Sequence, residues 1–265
     1  MTRKLGINMD FSRDITPHEA IDLIAKTGFE ATFTLEYDTE KVRELKEHTD
    51  RCGISFETIH APFDGINAMW ESTEDEPDIM KRMKAAISAA GENAVPIVII
   101  HVSSGWDPPS INDAGLARFD ALVDYAKEKG VTVAFENLRV LGNVAYFTDR
   151  YRYNENVRFC FDAGHEHCNT KTVSWIDIFG KRLITTHIHD NFGRGEDVGE
   201  NFDMHLLPFD GNYDYENMMH RLDKYSYSGT LMLEVFTSKK EEYLKMTPED
   251  FLREAYLRLE KISKL

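Results

Sequence analysis

The segment RFCFDAGHEHC, residues 158–168, concentrates side chains that can bind a metal ion or transfer a proton. It contains two cysteines, two histidines and the carboxylate of Asp162 within eleven positions. Three interpretations are open. The segment is a zinc clip that holds the fold together, the end of a buried strand that presents catalytic ligands, or an accident of composition. Its surroundings must decide, because thiols and imidazoles also occur as ordinary buried side chains.

Similar side chains end most of the other apolar runs of the chain. The ligand-type residues at or just after these ends are His60, His101, Glu136, Asp162, His165, His187, His189, Asp190 and Glu234. A single histidine or glutamate in such a place is usually a hydrogen-bonded or ion-paired residue. Repetition is harder to explain in that way, because buried carboxylates and imidazoles destabilise a fold unless they are paired or bind a cation. A shared divalent metal ion accounts for the whole set.

The runs that carry these residues alternate with helical patterns. In residues 112–130, apolar side chains recur at three-to-four spacing and Gly130 stands where a helix would end. Thr16 and Glu19 form the pattern of a capping box at the start of another helix. The predicted strands are residues 4–9, 31–36, 54–60, 95–101, 131–137, 157–163, 183–189 and 230–236.

Eight strands alternating with helices predict an α/β fold, a single (β/α)8 TIM barrel that occupies residues 1–265 as one domain. An open doubly wound sheet is the alternative. No glycine-rich phosphate loop follows the first strand, which disfavours that alternative and predicts no nucleotide cofactor. In a parallel barrel the carboxyl ends of all strands lie on one face. The scattered ligand-type residues are therefore expected to form one cluster.

Composition limits the partners of such a protein. The chain has 31 Lys and Arg against 46 Asp and Glu, a formal charge of −15, and its basic residues are interspersed with acidic ones. Such a surface repels polyanions, so nucleic acid is an unfavourable partner. No apolar run is long enough for a signal peptide or a membrane span, and three cysteines are too few for a disulfide framework. These features predict a cytoplasmic protein without membrane contact.

A long segment after the seventh predicted strand adds further candidates. It contains Gly193, Gly195 and Gly199, and then Asp203 and His205. A long, glycine-rich loop on the active face is typical of a lid, although flexible loops also occur without a function. Asp203 and His205 add a carboxylate and an imidazole to the cluster. Aromatic side chains expected to wall the pocket are Trp106, and Phe63 or Trp70.

Taken in order, the motifs ETIHAPF, IIHVSSG, AFENL, FDAGH, HIHDN, DMHLLPFDG and LMLEVF resemble those of the xylose-isomerase-like barrel superfamily. That superfamily contains isomerases and epimerases of sugars and sugar phosphates, and also the endonuclease IV type of DNA-repair enzyme. The similarity runs from about residue 54 to residue 236. It implies the same barrel fold and a divalent metal ion at the active face.

The resemblance also implies roles for individual residues. The four-ligand metal site of the ketose epimerases falls on Glu136, Asp162, His187 and Glu234. His187 is preferred to His189 because the family pattern has an acidic residue three positions after the histidine, here Asp190. The trinuclear zinc site of endonuclease IV uses these four residues and five more, which correspond to His60, His101, His165, Asp203 and His205. In the epimerase interpretation, His165 and His189 bind substrate oxygens or orient the ligands.

The leading functional hypothesis is a metal-dependent isomerase or epimerase of a small sugar, sugar phosphate or cyclitol derivative. Glu136 and Glu234 are expected to remove and return a proton next to a carbonyl, with Mn²⁺ as the preferred ion and Zn²⁺ or Co²⁺ as alternatives. Ketose epimerases carry an arginine six residues after the strand-seven histidine, whereas here Gly193 holds that position and Arg194 follows. The resemblance further implies a possible homo-oligomer.

Two other functions remain open. One is an endonuclease IV-like zinc phosphodiesterase that acts on abasic DNA, for which the ligand types are complete but the charge is unfavourable. The other is a non-catalytic sugar-binding barrel. Outside the cluster, His18, His48 and His220 are predicted to be surface residues of helices, without a role. In the opening segment, Cys160 is predicted to be an apolar filler, and the candidate ligands narrow to Asp162 and His165.

Overall fold

The computed structural model describes residues 2–71, 75–170, 172–195 and 202–265. Within these residues, eight parallel strands form one sheet in the order β7-β6-β5-β4-β3-β2-β1-β8. Strands β1 to β8 are Leu5–Asn8, Ala31–Thr34, Ser55–His60, Ile97–Ile100, Thr132–Glu136, Val157–Asp162, Leu183–His187 and Leu231–Leu233. The prediction of a (β/α)8 barrel is confirmed, and each predicted run contains one strand.

Helices α1 to α9 are Pro17–Thr27, Thr39–Cys52, Asp78–Glu92, Asp113–Glu128, Leu141–Arg150, Ala163–Asn169, Trp175–Phe179, Tyr215–Lys224 and Pro248–Ile262. Short 3₁₀ helices span Ile66–Trp70, Gly180–Arg182, Thr237–Lys239 and Tyr243–Lys245. The capping box of Thr16 and Glu19 begins α1 as predicted, and Gly28 ends it with φ of 106°. In the described part of the chain, no helix combines the length and the apolarity that a membrane span requires.

The observed strands are shorter than the predicted runs. His101, His189 and Glu234 lie beyond the last residue of their strands, because the chain leaves the ladder where the polar side chains begin. Apolar runs therefore fill the barrel wall, and the ligand-type residues lie at its carboxyl end.

The barrel closes at a seam between β7 and β8. There, Ile188 pairs with Leu233 in an isolated parallel bridge just beyond β7. The buried hydroxyl of Thr186 donates to the carbonyl of Thr230 at 3.0 Å and accepts from the amide of Met232 at 3.1 Å. A side chain thus supplies hydrogen bonds that a regular ladder would otherwise take from the backbone.

Two apolar regions support the barrel. Most of the core lies between the strands and the surrounding helices, and a smaller cluster consists of Cys160 with Ile97, Ile99 and Ala134. Cys160 is completely buried there, which confirms its role as an apolar filler.

The suggestion that Trp70 walls the pocket is wrong. Its indole is 2% exposed, packs against Phe119 and Phe147 at ring distances of 5.3 and 5.8 Å, and donates to the carbonyl of Val102. Packing against these helices buries more apolar area than a place in a polar pocket would.

Candidate active site at the carboxyl end of the barrel

A polar cavity of about 140 Å³ lies where the carboxyl ends of the strands meet. The predicted residues that line it are His60, His101, Glu136, His165, Asp203, His205 and Glu234, together with the aromatic ring of Phe63. The barrel therefore brings together most of the residues that the sequence placed in one cluster. The alternation of apolar strands with polar strand ends is what concentrates them on this face.

Glu136, the last residue of β5, lies at the centre of a first group of ligand-type side chains. Its Oε2 atom is 2.6 Å from His101 Nε2 and 3.4 Å from His60 Nε2, and its Oε1 atom is 2.7 Å from His187 Nδ1. Burial opposes ionisation of Glu136, but His187 and hydrogen bonds from His101 and His60 outweigh burial and hold its pKa well below the usual range. The carboxylate is therefore charged at neutral pH.

Glu234, just beyond β8, contacts the same imidazole nitrogen as Glu136. Its Oε2 atom is 3.2 Å from His187 Nδ1, so one ring nitrogen contacts two glutamates from different strands. The ring of His187 is fully buried and stacks on Phe33 at 4.7 Å. Burial lowers the pKa of His187, yet Glu234 and Glu136 raise it well above the ordinary value. The two carboxylates thus favour the positively charged form of the His187 imidazole.

A second group of ligand-type side chains consists of His165, His189, Asp203 and His205, whose ligand atoms all lie within 4.8 Å of one another. Asp203 is 3.1 Å from His165 Nε2, 3.4 Å from His205 Nε2 and 3.6 Å from His189 Nε2. Burial opposes protonation of His205, but Asp203 raises its pKa to about 9. The group has the mixed carboxylate and imidazole character of a site for a divalent cation.

Asp162 belongs to this second group by position. Its Oδ1 atom accepts from the backbone amide of His165 at 2.5 Å, which caps α6, and lies 3.2 Å from His189 Nε2. Among the described residues, no nitrogen of His187 lies within 4.0 Å of this carboxylate. Of the four residues that the resemblance assigns to one ion, Glu136 and Glu234 each contact His187, whereas the carboxylate of Asp162 contacts His189. The assignment of the four as one ligand set stays a prediction.

The unpaired polar atoms of these residues suit a bound cation. In the part of the chain that the structure describes, buried atoms without a hydrogen-bond partner include His187 Nε2, Asp162 Oδ2 and His189 Nδ1. Buried lone pairs and imidazole N–H groups are costly when they have no partner. Binding of a divalent ion removes this cost, since it replaces the imidazole protons and uses the carboxylate charge.

The loop that carries Asp203 and His205 is held in place by Asp190. This buried carboxylate accepts from the amides of Asn191 at 2.8 Å, Phe209 at 2.8 Å and Tyr213 at 3.1 Å. Its backbone also pairs with Leu206 in an antiparallel bridge. The acidic residue three positions after His187 therefore organises the following loop. Gly199 and the rest of residues 196–201 lie outside the described residues, so the lid stays a prediction.

Three polar residues at the site, Arg139, Ser103 and Ser104, were not predicted from the sequence, and a fourth, Arg194, was considered for substrate binding. Arg139, Ser103 and Ser104 line the cavity, and their signal was their position immediately after the ends of β5 and β4. Arg139 lies 4.0 Å from Asp203. Arg194 lies over the ring of Trp106, and its guanidinium carbon is 4.2 Å from the ring centroid. Neither of these two residues lines this cavity. A role of Arg194 in substrate binding stays a prediction.

A family model of the xylose isomerase-like TIM barrel matches residues 19–261, nearly the whole chain. The chain belongs to the xylose isomerase-like TIM barrel family. An uncharacterised protein of Sinorhizobium fredii, y4fM, is 32% identical over 166 residues, which cover 57% of this chain and 51% of that protein. The chain thus matches only about half the length of this relative.

Solved structures of the family have the same fold. The IOLI protein, whose crystal structure contains a bound zinc atom, has a TM-score of 0.75 and 18% identity, and the alignment covers 98% of both chains. D-psicose 3-epimerase from Clostridium cellulolyticum H10, solved with D-tagatose, has a TM-score of 0.72 and 17% identity, again over 98% of both chains. At these identities the similarity establishes the xylose isomerase-like barrel, and the chemistry has to be argued from the site.

Proposed function

We propose that this protein is a divalent-metal-dependent isomerase or epimerase of a small sugar, sugar phosphate or cyclitol derivative. The observation that carries the proposal is that Glu136 and Glu234, from β5 and from the end of β8, both contact His187 Nδ1, at 2.7 and 3.2 Å. A carboxylate removes a proton when it is ionised and delivers one when it is protonated, so two carboxylates from different strands at one cavity can serve as the base and the acid of a proton transfer.

The metal would be held by Glu136, Asp162, His187 and Glu234, with Mn²⁺ preferred and Zn²⁺ or Co²⁺ as alternatives for this mixed donor set. A bound divalent ion supplies Lewis acidity that polarises a substrate carbonyl. The chain itself supplies the proton transfer. Burial opposes ionisation of Glu234, but His187 and His205 lower its pKa far below the ordinary value, so Glu234 is ionised beside these imidazoles.

Return of the proton decides the product. If one ionised glutamate removes the proton from a carbon next to the carbonyl, and the other, after taking up a proton from solvent, delivers that proton to the opposite face of the same carbon, the product is an epimer. Return to the neighbouring carbon gives an isomer. Acid–base groups placed in this way contribute about 10²–10⁴-fold to the rate.

The size and lining of the cavity favour a small polar substrate. Its volume of about 140 Å³ suits the reacting part of a sugar, and Ser103, Ser104 and Arg139 supply hydrogen-bonding groups. A larger cavity of about 680 Å³, lined by Arg13 and Lys239 among others, extends from Phe236. The ring of Phe236 is 5.5 Å from that of His205, which lines the smaller cavity.

An endonuclease IV-like phosphodiesterase is the second candidate. It is favoured by the additional ligand-type groups, His60 and His101 around Glu136, and His165 and His205 around Asp203. Such groups could hold more than one zinc ion. The formal charge of −15 disfavours it, because a duplex must be held against the active face.

A direct test measures proton transfer on a panel of compounds, so the substrate need not be identified first. The Mn²⁺-loaded protein is incubated in deuterated water with ketoses, ketose phosphates, inososes and 3-keto-glycosides, and incorporation of deuterium is followed by mass spectrometry. We expect exchange with at least one compound, and its loss in Glu136→Gln and in Glu234→Gln. A fold check by circular dichroism accompanies both variants.

The same preparation separates the alternatives. Cleavage of an abasic-site duplex together with three zinc ions per chain and no exchange would establish the phosphodiesterase instead. Saturable sugar binding that is unchanged in Glu136→Gln, with neither exchange nor cleavage, would establish the non-catalytic barrel.

A further inference from the structure

A separate group of metal-ligating side chains lies away from the barrel mouth, between α1 and α2. His18 and Asp22 are four residues apart on α1, and His48 and Cys52 are four residues apart on α2. Residues with this spacing lie on the same face of a helix, one turn apart. Each helix therefore presents two ligand-type side chains to its neighbour.

The contacts across the two helices are short. His48 Nε2 is 2.7 Å from Asp22 Oδ1, and Cys52 Sγ lies 3.5 Å from the same oxygen. The ligand atoms of these three residues all lie within 4.8 Å of one another. The ring of His18 is 5.1 Å from the ring of His48, centroid to centroid, in an edge-on arrangement. An imidazole, a carboxylate and a thiol thus meet between the two helices, and a second imidazole packs beside the first.

An ordinary helix surface explains part of this arrangement. An exposed pair of histidine and aspartate is common on helices and contributes little to stability. Such a pair does not explain why a cysteine approaches the same carboxylate oxygen, or why the ring of a second histidine lies beside that of His48. The histidines and Cys52 are only partly exposed, so these side chains are held in place by the packing of the two helices.

We propose that His18, Asp22, His48 and Cys52 form a zinc site that cross-links α1 and α2. Tetrahedral zinc with bonds of about 2.0–2.3 Å places its ligand atoms about 3.3–3.8 Å apart, so small side-chain movements convert the observed contacts into coordination. On binding, the Cys52 thiol releases its proton to solvent and a sulfur–zinc bond forms. A thiolate in the set favours Zn²⁺ over Mn²⁺, in contrast to the carboxylate-rich barrel mouth.

Four protein ligands leave no open coordination position for a substrate, which is typical of structural zinc rather than catalytic zinc. The site ties the first two helices of the barrel together and stabilises the fold in proportion to the logarithm of the zinc concentration. It is independent of the function proposed for the mouth.

The test uses the full-length protein and the metal alone. Protein stripped with a chelator is treated with iodoacetamide, with and without Zn²⁺, and alkylation of the peptide that contains Cys52 is timed by mass spectrometry. We expect Zn²⁺ to slow this alkylation by about tenfold or more, since a metal-bound thiolate is a poor nucleophile, and Mn²⁺ to leave it unchanged.

Variants link the protection to the four ligands. Asp22→Asn and His48→Gln are expected to lose the protection and one bound zinc ion per chain, measured by competition with a chromophoric chelator. His220→Gln, a change of an exposed histidine on α8, is the matched control and should keep both. Equal alkylation rates with and without Zn²⁺ in the wild-type protein would overturn the proposal, as would an unchanged zinc content in both ligand variants.

Discussion

At the residue scale, the site is built from carboxylates and imidazoles that change one another's ionisation. Burial opposes the charge of Asp203, but His205 and His165 hold the pKa of Asp203 well below its usual range. Burial also opposes the charge of His165, and Asp162 and Asp203 nevertheless raise the pKa of His165 well above its ordinary value. The protons on these imidazoles balance the buried carboxylates, and a metal ion would replace them. Arg139 also lines the cavity and adds a positive charge to it.

Arg139→Gln is expected to weaken substrate binding more than turnover. The guanidinium can donate to substrate hydroxyl or phosphate oxygens, so its loss should raise KM about tenfold with kcat changed less. The measurement is steady-state kinetics on whichever compound shows deuterium exchange. Arg194→Gln, which removes the arginine that lies over Trp106, serves as the comparison. A fall in kcat alone would contradict a binding role for Arg139.

At the scale of elements, the segments that follow the strands position the ligands. Asp162 ends β6 and caps α6, which fixes the first turn of α6 and with it His165. In that same turn, Gly164 leaves room for the ring of His189: a β-carbon at Gly164 would lie 1.9 Å from it. The opening segment RFCFDAGHEHC is therefore a strand, a cap and a helix turn that together present ligands, with a glycine whose missing side chain is also required.

Gly164→Ala is expected to displace the His189 ring and to lower the affinity for Mn²⁺ or Zn²⁺ by about tenfold or more, in line with the loss of supporting contacts around a metal. Metal affinity is measured by isothermal titration calorimetry. Gly142→Ala in α5 is the matched control, because a β-carbon there meets nothing within 4 Å. It should leave metal binding unchanged and add up to about 1 kcal/mol of stability. Unchanged affinity in Gly164→Ala would contradict the placement of His189.

The loop that carries Asp203 and His205 is also tied to the C-terminal helix. Asp210 accepts from Arg258 on α9 at 2.6 Å and from the hydroxyl of Tyr243 at 2.5 Å. Burial raises the pKa of Asp210, but Tyr243 and Arg258 outweigh it and hold the pKa below the ordinary value of 3.8. A depressed pKa in the folded state stabilises the fold above the ordinary value, and this contribution is lost as the pH falls through the folded pKa.

Asp210→Asn should therefore lower the free energy of unfolding by about 1–3 kcal/mol at pH 7, the usual effect of a lost charged hydrogen bond. The difference from the wild type should shrink below pH 3.8, where Asp210 of the wild type becomes protonated. Urea unfolding at several pH values measures it. Glu249→Gln, at an exposed ion pair with Lys26, should change stability by less than about 1 kcal/mol throughout. A difference that stayed constant down to pH 2 would contradict the ionic role of Asp210.

At the scale of the whole molecule, closure of the barrel at the seam between β7 and β8 brings the residues of the site together. His187 ends β7 and Glu234 follows β8, so their contact at 3.2 Å crosses the closure of the barrel. The amide of Glu234 donates to the carbonyl of Ile188 at 3.1 Å, directly beside the hydrogen bonds of Thr186. Stability of the seam and geometry of the site are therefore coupled.

Thr186→Val should destabilise the protein by about 1–3 kcal/mol, because it leaves a buried amide and a buried carbonyl without their partner. The melting temperature should fall by about 2–4 °C for each kcal/mol in a chain of this size. Thr185→Val is the matched control, since the hydroxyl of Thr185 is buried without a hydrogen-bond partner among the described residues and its loss should be neutral or stabilising. Calorimetry of both variants makes the comparison. Equal melting temperatures would show that the Thr186 hydroxyl does not support the seam.

The sequence by itself determined the strands and the end of the barrel where ligand-type side chains gather. Each strand lies within a short apolar run, and a run of that kind is a local property that the order of residues specifies. Polar ligand types at the ends of those runs predicted one cluster, because parallel strands in a barrel share one carboxyl face. The packing of individual side chains was harder to predict from the sequence. Trp70 was predicted as a pocket wall but lies in the core, because a local pattern does not reveal which helix will cover a given aromatic ring.

Only the tertiary structure decided which ligand-type side chains meet. The carboxylate of Asp162 contacts His189 rather than His187, its neighbour across the β6–β7 ladder, and Glu136 reaches His187 across 51 residues of chain. The two histidines at the end of β7 are two positions apart and look equivalent in the sequence. The two histidines join different groups of ligand-type side chains. Their depth in the barrel follows from the stagger of the strands, and their neighbours follow from the loop that Asp190 holds. Distances of this kind arise from closure of the barrel, which no local pattern encodes.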